Sequence, residues 1–226
     1  MEHFRRFAIY YAPEAGSFAD HAAAWLGWDL AQGRAVSQPE TPADLPRWTA
    51  EPRKYGFHGT IKPPFRVQNG ITGHDLAKAV QTLAAQLPQV TIAEVTMAQI
   101  EGFLAILPKG DVQPLNDLAS AIVQGLDGFR APLTAAEIAR RRPESLTDRQ
   151  RALLALYGYP YVMEEFQFHL TLTGRLSGAE MGMAQVAAQA HFAHVLPRPF
   201  VLRDICLCGE DEAGNFHLLH RYPLMA

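Results

Sequence analysis

Two short stretches carry the residue types of proton-transfer chemistry. They are Phe57-His58-Gly59-Thr60 and Phe168-His169-Leu170-Thr171, with 111 positions from His58 to His169. In an extended strand alternate side chains face opposite ways, so His58, Thr60 and Lys62 share one face while Phe57 and Ile61 take the other. In the second copy His169, Thr171 and Thr173 share a face, against Phe168, Leu170 and Leu172. Each motif therefore has a hydrogen-bonding front and an apolar back, and Gly59 thins the back of the first, as close packing requires. Brought together across a cleft, the two fronts supply two imidazoles and two hydroxyls, a set suited to phosphodiester cleavage. Breaking a P–O bond needs a base to take a proton from the attacking oxygen and an acid to protonate the leaving one, and imidazole can do either near neutrality. The hydroxyls can donate to the non-bridging oxygens, where charge is held in the transition state. One histidine would be the neutral base and the other the charged acid; their neighbours decide which, and the sequence leaves the assignment open. A lone strand histidine is ordinarily structural, but the same polar pair at the same pleat positions twice points to function.

Other residues could support that chemistry. Lys62 follows the first motif on its front and Arg175 follows the second past Gly174, so either could offset phosphate charge. Tyr55, Tyr159 and Tyr161 could line a pocket. The arginine run in "ARRRPE" (139–144) reads as a solvated helix face. Zinc is the competing chemistry, from His191 and His194, His217 and His220, and Cys206 and Cys208, but none has the spacing of a familiar finger or metalloprotease, and no metal site is expected.

The motifs must be held by strands, and the chain has the elements to do it. "RRFAIYYAP" reads as a strand and "SFADHAAAWLGWDL" as a helix capped by Ser17. Residues 33–54, with four prolines and no steady period, read as a long connection of the kind that often carries function. The first motif strand follows, then a helix in "TGHDLAKAVQTLAAQL", strands near "VTMAQIEG" and "FLAILP", and a helix in "VQPLNDLASAIVQGL". Thr134 with Glu137 and Thr147 with Gln150 have capping-box spacing, which predicts two short helices separated by Pro143. The second motif strand, "FQFHLTLTGRL", precedes a helix over 178–195 and strands in "FVLRDICLCG" and "FHLLHRYPL". Helices and strands alternate in both halves and each half has its motif strand, which suggests a duplicated lobe.

Composition sets bounds on the partners. In 226 residues, 48% are hydrophobic and 19% charged, with a net charge of −3, so nothing drives general association with nucleic acid or anionic lipid. No apolar run is long enough to span a bilayer, and the opening "MEHFRRFAIYYAPEAG" lacks a secretory core, so a cytoplasmic location without membrane association is expected. Cys206 and Cys208 are too near each other for an unstrained disulfide and read as reduced thiols.

The paired His-x-Thr strands resemble those of the 2H phosphoesterase superfamily. "RFAIYYAPEAGS", "YGFHGTIKPPF", "FRAPLTAAEIARRRPESLTDRQRALLALYGYPYV" and "FHLTLTGRL" together resemble the branch associated with phosphonate-utilisation operons. The resemblance implies an α+β fold, with two similar lobes of mainly antiparallel sheet around a central cleft in a pseudo-two-fold arrangement. All of 1–226 would form one bilobal domain with a helical insertion near 130–160. It implies His58 and His169 as catalytic, Thr60 and Thr171 beside them, and no cofactor or metal. The expected activity is metal-independent hydrolysis of a cyclic phosphate or small phosphodiester, with a role in phosphonate metabolism, on a small phosphorylated substrate. The alternatives are processing of RNA 2',3'-cyclic phosphate ends or 2'-5' ligation, and non-catalytic binding of a phosphometabolite. RNA is the less favoured partner because it calls for a broad basic track.

Overall fold

The computed structural model describes residues 1 and 3–226. β1 (Arg6–Tyr11) is buried along nearly its whole length, as its run of aromatic and β-branched side chains dictates. α1 (Ser17–Leu26) follows and closes on Gly27 in the left-handed region. The proline-rich connection is more ordered than its composition suggests. It holds a two-stranded ribbon, β2 (Trp28–Asp29) with β3 (Arg34–Ala35), and a short helix, α2 (Leu45–Trp48), whose Leu45 and Trp48 are buried. Gln38 ties this segment to the Trp25 carbonyl and the Thr49 hydroxyl, and Arg53 bonds Gln38 and the Leu26 carbonyl.

β4 (Gly59–Phe65) carries the first motif, and α3 (Gly73–Ala84) starts on a Thr72–Asp75 capping box. β5 (Val90–Ile92), β6 (Glu94–Ile100), β7 (Phe103–Lys109) and α4 (Gln113–Gly125) follow. α5 (Ala135–Arg140) and α6 (Asp148–Tyr157) both begin at the capping boxes read from the sequence. The second motif contributes β8 (Leu170–Thr171), far shorter than the strand its pattern suggested. α7 (Gly178–Phe192), β9 (Phe200–Leu202), β10 (Asp204–Glu210) and β11 (Phe216–Pro223) complete the order.

The class is α+β with a large antiparallel sheet. Seven strands run in the order β11-β10-β1-β4-β8-β7-β6, every neighbour antiparallel, and β5 pairs with β9 in a separate ribbon. The two motif strands are neighbours in the middle of the sheet. Its two wings do not follow the two halves of the sequence: β1 from the first half lies between β4 and β10, with β11 beyond, while the second motif strand β8 lies between β4 and β7, with β6 beyond. The β4–β8 ladder is one pair long, Gly59 opposite Leu170. Pro63 and Pro64 of β4 bring no N–H with which to extend it.

One face of the sheet is apolar and packs, with residues of α1, α3, α4 and α7, into the main core; Phe57, Ile61, Phe168, Leu170 and Leu172 all belong to it. Gly59 is required there, because an added Cβ would sit 2.3 Å from the Phe168 ring. The opposite face carries a smaller cluster, Ala8, Tyr10, Ala12, Leu30, Cys206, Cys208 and Phe216. α6 packs on α4 through Leu153 and Val123, which seats the 130–160 segment against the body of the protein. Among the described residues no helix is long and apolar enough to cross a membrane.

Candidate active site

The register brings the two motifs together. Continuing the Gly59–Leu170 pairing one residue each way sets His58 opposite Thr171 and Thr60 opposite His169. On an ideal antiparallel ladder diagonal residues lie about 7–8 Å apart, and that is the order of separation this pairing implies for the two histidines. His58, Thr60, His169 and Thr171 all line one cavity of about 430 Å³. That separation suits a single phosphate group with its attacking and leaving oxygens.

Both imidazoles are anchored in the same way. His58 Nδ1 lies 2.9 Å from the Gly56 carbonyl and His169 Nδ1 lies 2.8 Å from the Gln167 carbonyl, each two residues back along the chain. A carbonyl only accepts, so each Nδ1 carries a hydrogen and each Nε2 is left for chemistry. Gly56 has φ 67° and ψ 174°, a conformation reserved for glycine, and this turns its carbonyl toward the ring. The Nε2 of His58 lies 3.1 Å from the Thr60 hydroxyl, which donates to it when the ring is neutral.

The two environments differ. Tyr10, 1% exposed, stacks on His58 with ring centroids 3.8 Å apart. Burial lowers His58 to about 4, against the opposing pull of the Gly56 carbonyl and with a further lowering from His169. His58 is therefore neutral at pH 7. His169 is exposed at its Nδ1 bond and has the tilted ring of Phe103 at 5.6 Å between centroids.

The remaining sequence-selected residues separate. Tyr55 lines the cavity at 6.3 Å from His58, ring to ring. Arg175 also lines it, largely exposed and donating to the Glu101 carbonyl at 2.7 Å. Thr173 is buried and accepts the Leu104 N–H at 3.0 Å. Lys62 does not reach the cavity: its ammonium, 2% exposed, donates to the Val123 carbonyl at 3.0 Å and pairs with Asp127 at 3.4 Å. The bulge pairing Ile9 with Lys62 and Tyr10 with Thr60 breaks the simple alternation that would have kept Lys62 on the front. Tyr161 lines a neighbouring cavity that shares Thr60 and His169 with this one.

Arg6, Tyr10, Phe103 and Arg141 line the cavity or touch its histidines without having been marked by sequence. Tyr10 carried no local signal, because nothing within β1 says that β4 lies beside it. Arg141 belongs to the run read as solvated. Arg140 and Arg142 are exposed, but Arg141 turns inward and lies 4.6 Å over the Tyr159 ring. Of the residues weighed as zinc ligands, His191 bonds the His21 carbonyl, His217 pairs with Asp211, and Cys206 and Cys208 are buried free thiols. Burial pushes Cys206 up to about 12.

Residues 60–217 match the family described as "Protein of unknown function (DUF1045)". The chain is 34% identical over 223 residues to the "Ribose 1,5-bisphosphate phosphokinase PhnN" of Janthinobacterium sp. (strain Marseille), covering 94% of this chain and 49% of that protein. It is 32% identical over 214 residues to the protein of the same name from Laribacter hongkongensis (strain HLHK9), covering 92% and 49%. The chain thus spans about half the length of the curated relatives it matches. Among solved structures it is similar to a crystal structure of a phosphoesterase, at 15% identity and a TM-score of 0.45 over 99% of both chains. It is also similar to E. coli LigT complexed with 3'-AMP, at 14% identity and a TM-score of 0.46 over 99% of both chains.

Proposed function

The chain belongs to the DUF1045 family, and from that premise and the paired-histidine cavity we propose that it is a phosphoesterase hydrolysing a cyclic phosphate or other small phosphodiester by general acid–base catalysis. One observation carries the reading: two imidazoles, each fixed through Nδ1 to the carbonyl two residues back, present Nε2 to one cavity beside Thr60 and Thr171. Neutral His58 takes a proton from water as its oxygen attacks phosphorus. The bond from phosphorus to the leaving alkoxide breaks, and His169, charged, gives its Nε2 proton to that oxygen. With substrate bound the Thr60 hydroxyl turns away from His58 Nε2, and Thr60 and Thr171 donate to the non-bridging oxygens as charge gathers there. Water is consumed, one phosphodiester becomes a phosphomonoester and an alcohol, and solvent resets the pair by taking the proton from His58 and returning one to His169.

The tyrosines and Arg141 favour a compact substrate over a long RNA chain. The name of the curated relatives, a kinase of ribose 1,5-bisphosphate, supports a phosphorylated sugar, and the resemblance of the motif segments to the branch of phosphonate-utilisation operons supports a place in phosphonate metabolism. Opening a cyclic phosphate on a sugar phosphate yields that class of bisphosphate. The test is turnover of a small sugar cyclic phosphate in the presence of EDTA, by wild type and by His169→Ala. Chelator-resistant hydrolysis that is lost in the variant is expected; hydrolysis by the variant at the wild-type rate refutes the mechanism.

A further inference from the structure

Beside the histidine cavity lies a second one, about 270 Å³, and its walls are cationic. Arg6, Lys54, Lys62, Arg130, Arg140 and Arg141 line it. The sole acidic side chain among the described residues of its wall, Glu137, is paired with Arg66. Three of the cations are held from behind: Arg6 by Glu210, and Lys62 and Arg130 by the single carboxylate of Asp127. Lys54, Arg140 and Arg141 have no carboxylate partner among the described residues. Two of these lie over aromatic rings instead, the Lys54 ammonium 5.1 Å from the Tyr55 centroid and the Arg141 guanidinium 4.6 Å from that of Tyr159.

The overall charge is −3, so this concentration of positive charge is local. Unmatched cations around one concavity repel one another, and low-dielectric walls focus their field on the space between them. Such an arrangement is stabilised when an anion enters. The position is as telling as the charge, because the two cavities share Arg6, Tyr55, Pro63, Pro64, Arg141 and Tyr159 as a common wall. A molecule held at the histidines can extend past that wall without leaving the protein.

We propose that the cationic cavity is a second phosphate subsite of the same active site, so that the substrate carries a phosphomonoester in addition to the diester that is cleaved. A diester has one negative charge and is served by hydroxyls and the imidazolium. A monoester has nearly two, and guanidinium and ammonium groups are the donors that meet it. Arg141, on the common wall, stands between the two phosphates. The inference rests on the phosphoesterase reading for the cleaved phosphate only; the cation cluster is independent of it.

The experiment has two arms. In the first, kcat/KM is measured on a sugar cyclic phosphate with and without a phosphomonoester on a distal hydroxyl, for wild type and for the Lys54→Gln/Arg140→Gln double variant. Both replaced side chains are exposed, so folding is preserved. Wild type should prefer the doubly phosphorylated substrate by about 10- to 100-fold, the range for charged hydrogen bonds, and the preference should collapse in the variant. In the second arm, binding of inorganic phosphate is followed by phosphorus NMR line broadening in a His58→Ala/His169→Ala protein, with and without the same two Gln substitutions. The Gln pair should weaken binding about tenfold. If wild type shows no preference and phosphate binding ignores Lys54 and Arg140, the subsite is overturned. If neither substrate turns over but phosphate binding depends on the two cations, the subsite stands and the phosphoesterase reading falls.

Discussion

An imidazole that stays neutral far below its ordinary range would give the proposed phosphoesterase an unusual acid limb. His58 is lowered to about 4 by burial, and its stacking partner is the fully buried Tyr10 at 3.8 Å. As general base in the free enzyme it should set the acidic limb of kcat/KM near that value, where an unperturbed histidine would set it near 6.5. At pH 5 about 90% of such a base is neutral, against about 3% of an ordinary one, so wild type should retain about 30-fold more of its base-dependent activity there. Replacing Tyr10 by Val keeps a strand former but opens one ring face to water, and the limb should move up toward 6.5. Little activity is lost at pH 7.5 from this cause, whereas most is lost at pH 5. The same shift acts on stability. The unfolded chain takes up a proton near 6.5 and the folded one only near 4, so this site's contribution is present above 6.5 and declines as pH falls through that window. The decline is at most about 3 kcal/mol, and His58→Ala should remove it from urea-denaturation midpoints compared at pH 7 and pH 4.5. A wild-type acid limb at 6 or above, unmoved by Tyr10→Val, would show that His58 is not the neutral base.

Replacing His58 or His169 by Ala should lower kcat by about 100-fold or more in a protein that stays folded, while Thr60→Ala and Thr171→Ala cost less; a fully active single histidine variant would sink the mechanism. Gly59→Ala forces a methyl group toward the Phe168 ring, and denaturant titration should find a loss of about 1–3 kcal/mol; a neutral result would mean that the seam between the motif strands is slack. Deleting residues 134–156 and closing the gap with a Gly/Ser linker should raise activity on an oligonucleotide ending in cyclic phosphate relative to a cyclic mononucleotide. An unchanged ratio in a folded protein would rule out that segment as a cover.

The polar fronts of the two motifs, their apolar backs and the need for glycine at 59 were legible because each follows from strand alternation over a few residues. The two capping boxes at Thr134 and Thr147 were legible for the same reason, being local chemistry. What was not legible is long-range. Lys62 left the expected face because a bulge against β1 reset the alternation, and nothing within β4 announces that bulge. Arg141 differs from its neighbours Arg140 and Arg142 only in meeting Tyr159, eighteen positions on. The wings of the sheet could not be read from the order of elements either, since a strand's partner lies outside its own pattern. The stack of Tyr10 on His58 emerged only once β1 and β4 were paired.

The crossed wings bear on how the active site comes into being. β6 and β7 are joined by a tight turn and can pair as soon as both exist, whereas β1 is completed by β10, with Arg6 bonded to Glu210 across 204 positions of chain. Contacts of such sequence separation carry a large loop-closure cost and form slowly. On a growing chain, the wing that holds His169 can therefore be nearly built while the wing that holds His58 still waits for its outer strands. The seam that joins the two motifs spans 111 positions, from Gly59 to Leu170, against 204 from Arg6 to Glu210, so the candidate site can close before β10 and β11 complete the outer edge that buries Tyr10 behind His58.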